Sequence, residues 1–491
     1  MRPFPTFIGG SYVSQSPIAD QEDTVNYYVE AMEVPGASAK TALYPTPGVQ
    51  TFATTMAAGN RGLFTDDASG RTFAAMGASL IEIDAGGVVT ARGTLAVDSH
   101  PATFSTNGPG GGQLLITSGD KAYSYDLATD TLIEELASGA TMGAVLYGYG
   151  LVFDIATGRV QLSDLFDLTT WDPTQYFERT IGTDPWMAMH VTPYGYIILP
   201  GTQTGESWYN SGAFPIPFAP DPSGQFARGI AATFSIQQLG DTAIWLSRGV
   251  EGDFTVVRQS GFTPQRVSTH AVELAIAGYN DTARISDAIG QVYGEHGHLF
   301  YLLTFFTAKV TWAFDAVVVG KANPWAKRGT WLSEVGRYTY SRPVFHTFAF
   351  GQHLMGDPEG AVIYRMDQIY PLDVEARPIR RLRRSPAVIA GMDRLICDTF
   401  QLLMEVGVGT GSGQGLNPLV VLRVSRDGGR TWGNEHACPA GKQGQYWARV
   451  EFRQLGMARN MVFEIVCTDP VAWRISDAYL DVRKCAGTQA A

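Results

Sequence analysis

LLITSGDKAYSYD, residues 114–126, decides how the rest of the chain is read. An apolar run at Leu114, Leu115 and Ile116 breaks at Ser118-Gly119-Asp120. It resumes as alternating Ala122, Tyr123, Ser124 and Tyr125, and closes on Asp126. Apolar run, tight turn and alternating run make two antiparallel strands joined by a short hairpin. The same outline recurs at residues 73–84, 151–164, 197–210, 244–257, 299–315 and 353–367. Successive copies start roughly 37 to 55 residues apart, near the ~40–50 residues of a propeller blade. A lone hairpin cannot bury its apolar face, whereas several arranged radially can. The repeat therefore predicts an all-β chain with a β-propeller body of about six to eight blades. A large all-β protein with hairpins in unsymmetrical succession is the alternative, because the copies share outline more than identity.

Bulk properties bound the remainder. At 491 residues the chain exceeds one ordinary core, so the propeller should be joined by a further domain. The 45% hydrophobic content, 55 glycines and 26 prolines fit a globular protein with many turns between short strands. A net charge of −11 argues against a coat that neutralises phosphates. It is compatible with an acidic wall along which DNA slides. No stretch approaches the ~20 apolar residues of a membrane-spanning helix. MRPFPTFIGG at the start lacks the apolar core of a secretory signal, so folding in a cytoplasm is expected. Cys397, Cys438, Cys467 and Cys485 are widely spaced with no CxxC pair, which favours reduced thiols over a metal site.

In chain order, residues 1–55 read as an extended N-terminal arm with an edge strand, punctuated by Pro17 and Pro35-Gly36. The arm either packs on its own body or reaches a neighbour. Residues 56–370 read as the propeller. Within it, residues 287–294 suggest a short helix, and Asp164, Asp167 and Asp172 a loop. FPIPFAPDPSGQF, residues 214–226, suggests an extended surface loop suited to partner contacts. Residues 371–386 form an arginine-rich junction with Arg377, Arg380, Arg381, Arg383 and Arg384. These are candidates for a partner or subunit contact, for DNA, or for solvated or intramolecular roles. Residues 387–491 read as a C-terminal β-sandwich-like domain with a glycine-rich loop at 407–415.

The sharpest motif, Ser425-Arg426-Asp427-Gly428-Gly429-Arg430-Thr431-Trp432, matches an Asp-box, S-x-D-x-G-x-T-W. Asp427 can bond turn amides, Gly429 permits a left-handed backbone and Trp432 packs beneath, so Ser425, Asp427, Gly429, Thr431 and Trp432 read as a structural turn. The motif resembles the Asp-boxes of sialidase-type propellers, where it lies away from catalysis. The adjacent acids Asp66-Asp67 and Glu134-Glu135 point to opposite faces of a strand and make no catalytic pair. His296 and His298 could share a strand face as half a metal site, but nothing completes it and a hairpin turn is favoured. No nucleophile elbow, phosphate loop or zinc-protease motif is present. No catalytic residue, cofactor or metal is expected.

Three stretches together resemble the packaged-DNA stabilisation proteins of short-tailed bacteriophages, also described as tail hub or nozzle proteins. They are VNYYVEA followed by ALYPTPGV; PIRRLRRSP at 378–386; and LRVSRDGGRTWGNE, YWARVEFRQLGMARNMVFEI and the final DAYLDV. The resemblance implies a structural protein of the virion tail, assembled in the host cytoplasm, and not an enzyme. It implies a homo-oligomeric ring, a hexamer, below the portal and its adaptor, with distal needle or fibre proteins as further partners. Genomic duplex DNA would be retained by the ring and leave through it without sequence-specific binding. A carbohydrate-active or glycan-binding propeller of sialidase type is the alternative function.

Overall fold

The computed structural model describes residues 1–485 apart from 17–18, 34–39, 58, 280–281 and 392. Pro17 and Pro35-Gly36 lie outside the described residues. Among the described residues seven four-stranded antiparallel units are arranged in sequence, so the body is a seven-bladed propeller. All seven hairpins read from the sequence form the two middle strands of a blade. In the second blade, Gln113–Ser118 pairs with Lys121–Asp126, placing Leu114 opposite Tyr125 and Ile116 opposite Tyr123. The turn between them holds Asp120 and Gly119 at positive φ, 62° and 63°, where a short polar side chain or none is tolerated.

The last blade is closed by the start of the chain. Gly48–Thr54 pairs with Val362–Asp367, outside Phe345–Ala349 and Gln352–Gly356. Closure in this manner ties residues some 315 apart and leaves the ring of blades without a free seam. The rest of the N-terminal segment packs on its own body. Tyr27–Ala31 and Thr41–Pro45 join Ile475–Lys484, Leu395–Met404 and Val450–Ala458 in one sheet of a C-terminal sandwich. Gln21–Val25 enters the opposite sheet between Trp325–Arg328 of the sixth blade and Arg381–Arg384. Apolar residues explain the placement: Phe4, Phe7, Tyr27 and Leu43 are buried in the same core as Phe400, Phe463 and Trp473. Phe400 stacks on Phe463 at 5.3 Å and meets the edge of Phe7 at 5.5 Å.

Three local expectations are corrected. Residues 287–294 are not helical; Ile289–Glu295 is the innermost strand of the sixth blade. The helices lie just before it, at His270–Ala277 and Thr282–Ser286, the first capped by the Thr269 hydroxyl accepting from the Val272 amide. Gly290 explains the strand, since a side chain there would sit 2.3 Å from the Ser235 carbonyl. The proline-rich 214–226 is a loop only at its start, and Phe218–Phe226 is the outermost strand of the fourth blade. An edge position tolerates Pro220 and Pro222, because one row of amides has no neighbour to serve. Asp164 and Asp167 end and begin strands, and Asp172 lies within Asp167–Glu178.

Candidate functional site

The seven innermost strands enclose an axial cavity of about 440 Å³, lined by Phe64, Phe104, Met142, His190, Gln291 and His346 among others. Phe64 and Phe104 stack nearly parallel, 6.0 Å apart at 5°. A second cavity of about 470 Å³ opens at one mouth, beside Arg61, His100 and Asp287. Spread along a five-residue strand of ~17 Å, the axial space amounts to a bore on the order of 6–9 Å. The major groove of duplex DNA alone is about 12 Å wide. The propeller axis is too narrow for a duplex.

The junction arginines are directed to partners within the chain. Arg383 is fully buried, with Nε donating to the Phe7 carbonyl (2.5 Å) and Nη1 to Gly10 O and the Thr24 hydroxyl (both 2.9 Å). Its Nη2 donates to Glu22 at 2.5 Å. Arg384 and Arg423 both grip Glu464, itself fully buried, and both guanidiniums lie over Trp432. Arg381 is buried at the domain joint, where desolvation lowers its basicity. Arg380 stacks 4.4 Å from the centre of Trp331 and donates to the Tyr338 hydroxyl. Arg377 bridges Glu334 and Glu375. Strand alternation accounts for the division: Arg381 and Arg383 face inward while Arg380 and Arg384 face the opposite way.

In the Asp-box, Asp427 accepts from the amides of Arg430 (3.0 Å) and Thr431 (2.9 Å) and from the Ser425 and Thr431 hydroxyls. These bonds hold its carboxyl well below the usual range, the Thr431 hydroxyl foremost. Gly429, at φ 91°, donates its amide to the Ser425 hydroxyl. Trp432 packs under two arginines rather than under an apolar layer.

His296 and His298 do not share a face. A turn at His296-Gly297 leaves His296 exposed while His298 is buried. His298 Nδ1 lies 2.6 Å from Asp315 and Nε2 2.8 Å from Glu30. Burial opposes the charge on the ring, but the two carboxylates outweigh it and raise the imidazole to about 9. Among the described residues no group of three or more His, Cys, Asp or Glu could hold a metal ion. Asp66 caps a turn through Ser69 while Asp67 is exposed. Glu134 meets Lys121, and Glu135 the Ser124 hydroxyl. All four cysteines are free thiols, with burial pushing Cys467 up to about 12.

Sequence reasoning missed a set of exposed aromatics at the hairpin turns. Tyr147 and Phe166 stand at turn tips with φ of 52° and 58°, and each is about half exposed. A bulky residue in a position that suits Gly or Asn was the available signal.

Residues 8–370 match the family model for bacteriophage P22 Gp10, beta-propeller, and residues 380–483 that for bacteriophage P22 Gp10, beta-sandwich. No curated protein matches the chain in sequence. Similar solved structures include virginiamycin B lyase from Staphylococcus aureus, at 10% identity and TM-score 0.41, over 65% of this chain and 99% of that one. Another is the extracellular domain of a putative hybrid two component system from B. thetaiotaomicron, at 9% identity and TM-score 0.44, over 83% of this chain and 47% of that one. Neither likeness bears on what the chain does. Both halves of the molecule, by contrast, carry the same family assignment in the same order, and the chain belongs to the bacteriophage P22 Gp10 family of tail hub or nozzle proteins that stabilise packaged DNA.

Proposed function

We propose that the protein assembles as a ring, a hexamer, beneath the portal and its adaptor. There it retains the packaged genome and forms the conduit for its ejection. The family match over both domains carries this reading. The narrow axial cavity adds a constraint: the conduit lies between copies of the chain, since no duplex fits through one propeller. An acidic propeller suits that role, because a wall that repels phosphate does not bind the passing polymer. The adaptor above and needle or fibre proteins below are the further partners. The ring is a component of the virion tail built in the host cytoplasm. Arg380, Arg381, Arg383 and Arg384 serve it from inside, as the seam joining propeller to sandwich.

Negative-stain imaging of the purified protein, alone and with the adaptor ring, tests the reading. Annular particles with a hole wide enough for duplex DNA are expected. Single discs at every concentration, with and without adaptor, would sink it.

A further inference from the structure

Two surfaces at opposite ends of the molecule are unfinished in the monomer. The first lies on the face of the third and fourth blades that carries the turns at 147–148, 165–166, 192–195 and 211–217. It exposes Tyr147, Leu165, Phe166, Tyr194 and Phe214, the last 95% exposed. The first four residues are contiguous: Phe166 packs against Gly110 and Gly148, and the Tyr147 hydroxyl covers Gly195, next to Tyr194. Left-handed backbone at Tyr147 and Phe166 costs each roughly 1–2 kcal/mol. Phe350, also at positive φ, is repaid by stacking on Phe52. Tyr147 and Phe166 have no aromatic partner among the described residues. Asp164, Asp172 and Asp241 nearby are exposed and form no ion pair among those residues.

The second surface is the pole of the sandwich formed by loops 405–418 and 440–449. These loops are bonded together, Gly407 N to Ala440 O and Gly444 N to Gly407 O. The pole exposes Trp447 (94%), Tyr446 (69%) and Leu416. Lys442 and Arg449 beside them are exposed and without a carboxylate partner among the described residues. From the sixth blade the shared sheet runs Trp325–Arg328, Gln21–Val25, Arg381–Arg384, Asn460–Cys467, Leu419–Ser425, His436–Pro439. Five strand steps place this pole ~24 Å beyond the blade. The sixth blade lies across the propeller from the third, so the two surfaces cannot meet within one chain.

Their chemistry is complementary. Propeller residues 46–379 carry 19 Lys and Arg against 32 Asp and Glu, while the remaining residues carry 17 against 15. We infer that the aromatic, basic pole of the sandwich docks on the aromatic, acidic turn face of blades three and four of a second copy. The contact is head-to-tail, so it repeats around a ring and leaves no copy with an unused surface once closed. The inference rests on the ring reading above and names the surfaces that build it.

The test uses two full-length variants, Tyr147→Asn with Leu165→Ser, and Trp447→Ser with Lys442→Ser. Asn suits the left-handed turn better than Tyr, and the other sites are exposed, so neither variant should melt below the parent. Sedimentation velocity should show each variant shifted at least ~tenfold upward in the concentration needed for assembly. Mixed together, the two should form a 1:1 dimer that grows no further, since one good contact survives. Rings from either variant at parental concentrations would overturn the interface and leave the nozzle intact. A mixture that stays monomeric would overturn it as well. A parent protein that never assembles, even with the adaptor, would overturn both readings.

Discussion

Arg383 shows what a buried cation costs and returns at the scale of one residue. Its guanidinium has no contact with water, yet five donors meet carbonyls of Thr6, Phe7 and Gly10, the Thr24 hydroxyl and the Glu22 carboxylate. Replacing it by Met would leave those acceptors and Glu22 unpaired in the core. Arg383→Met should therefore lower unfolding free energy by about 3–5 kcal/mol. A denaturant midpoint within error of the parent would contradict a seam held by Arg383. His298 makes a second residue-scale prediction, with a sign fixed by linkage. Its folded value of about 9 lies above that of a free imidazole. The stabilisation is thus complete below about pH 6.5 and is lost as pH rises through about 9. Between those limits stability should fall by on the order of 1–3 kcal/mol. His298→Gln should abolish the slope, whatever it does to stability itself. A parent protein that is flat over that interval would refute the assignment of charge.

At the scale of elements, the closing strand is the most exposed point of the design. Gly48 begins it where the chain passes under residues 370–372, and a methyl group there would lie 2.2 Å from the Tyr370 carbonyl and 2.5 Å from that of Leu372. Both obstacles are backbone and cannot swing away. Gly48→Ala should cost about 1–3 kcal/mol. Gly70→Ala, whose methyl meets nothing within 4 Å, should cost about 1 kcal/mol for its positive φ alone. Equal melting temperatures for the two variants would show that the closure yields. The hairpins were legible because apolar alternation and turn residues are local signals, and each of the seven reads within a dozen or so residues. Closure was not, since Gly48–Thr54 pairs with residues more than 300 positions away and carries no mark of its partner. Residues 287–294 misled for a related reason: DAIGQVYG mixes apolar, polar and glycine positions without a clear period, and burial against Ser235 decided its state. The arginines were conspicuous in sequence, but their direction depends on which side of one strand each occupies.

On the scale of the whole molecule, propeller and sandwich share backbone rather than merely touching. The sheet of the sixth blade continues into the sandwich through Gln21–Val25 and Arg381–Arg384. Asn26, at φ 58°, fastens the crossing. Its side chain donates to the carbonyls of Gly329 (2.8 Å) and Arg380 (2.9 Å) and accepts from the Gly329 amide (3.0 Å). Linker-joined domains move independently by default, whereas here neither half can unfold without stripping a strand from the other. In the proposed ring such a joint would be an advantage, because load on one domain is borne by both. Calorimetry of the monomer at low concentration should give one transition, with van't Hoff and calorimetric enthalpies equal. Asn26→Ala removes three hydrogen bonds and swaps Asn for a residue less suited to left-handed backbone, so it should loosen the crossing and split that transition in two. Two resolved transitions already present in the parent protein would mean that the shared sheet does not couple the halves. The joint would then have to be treated as a hinge.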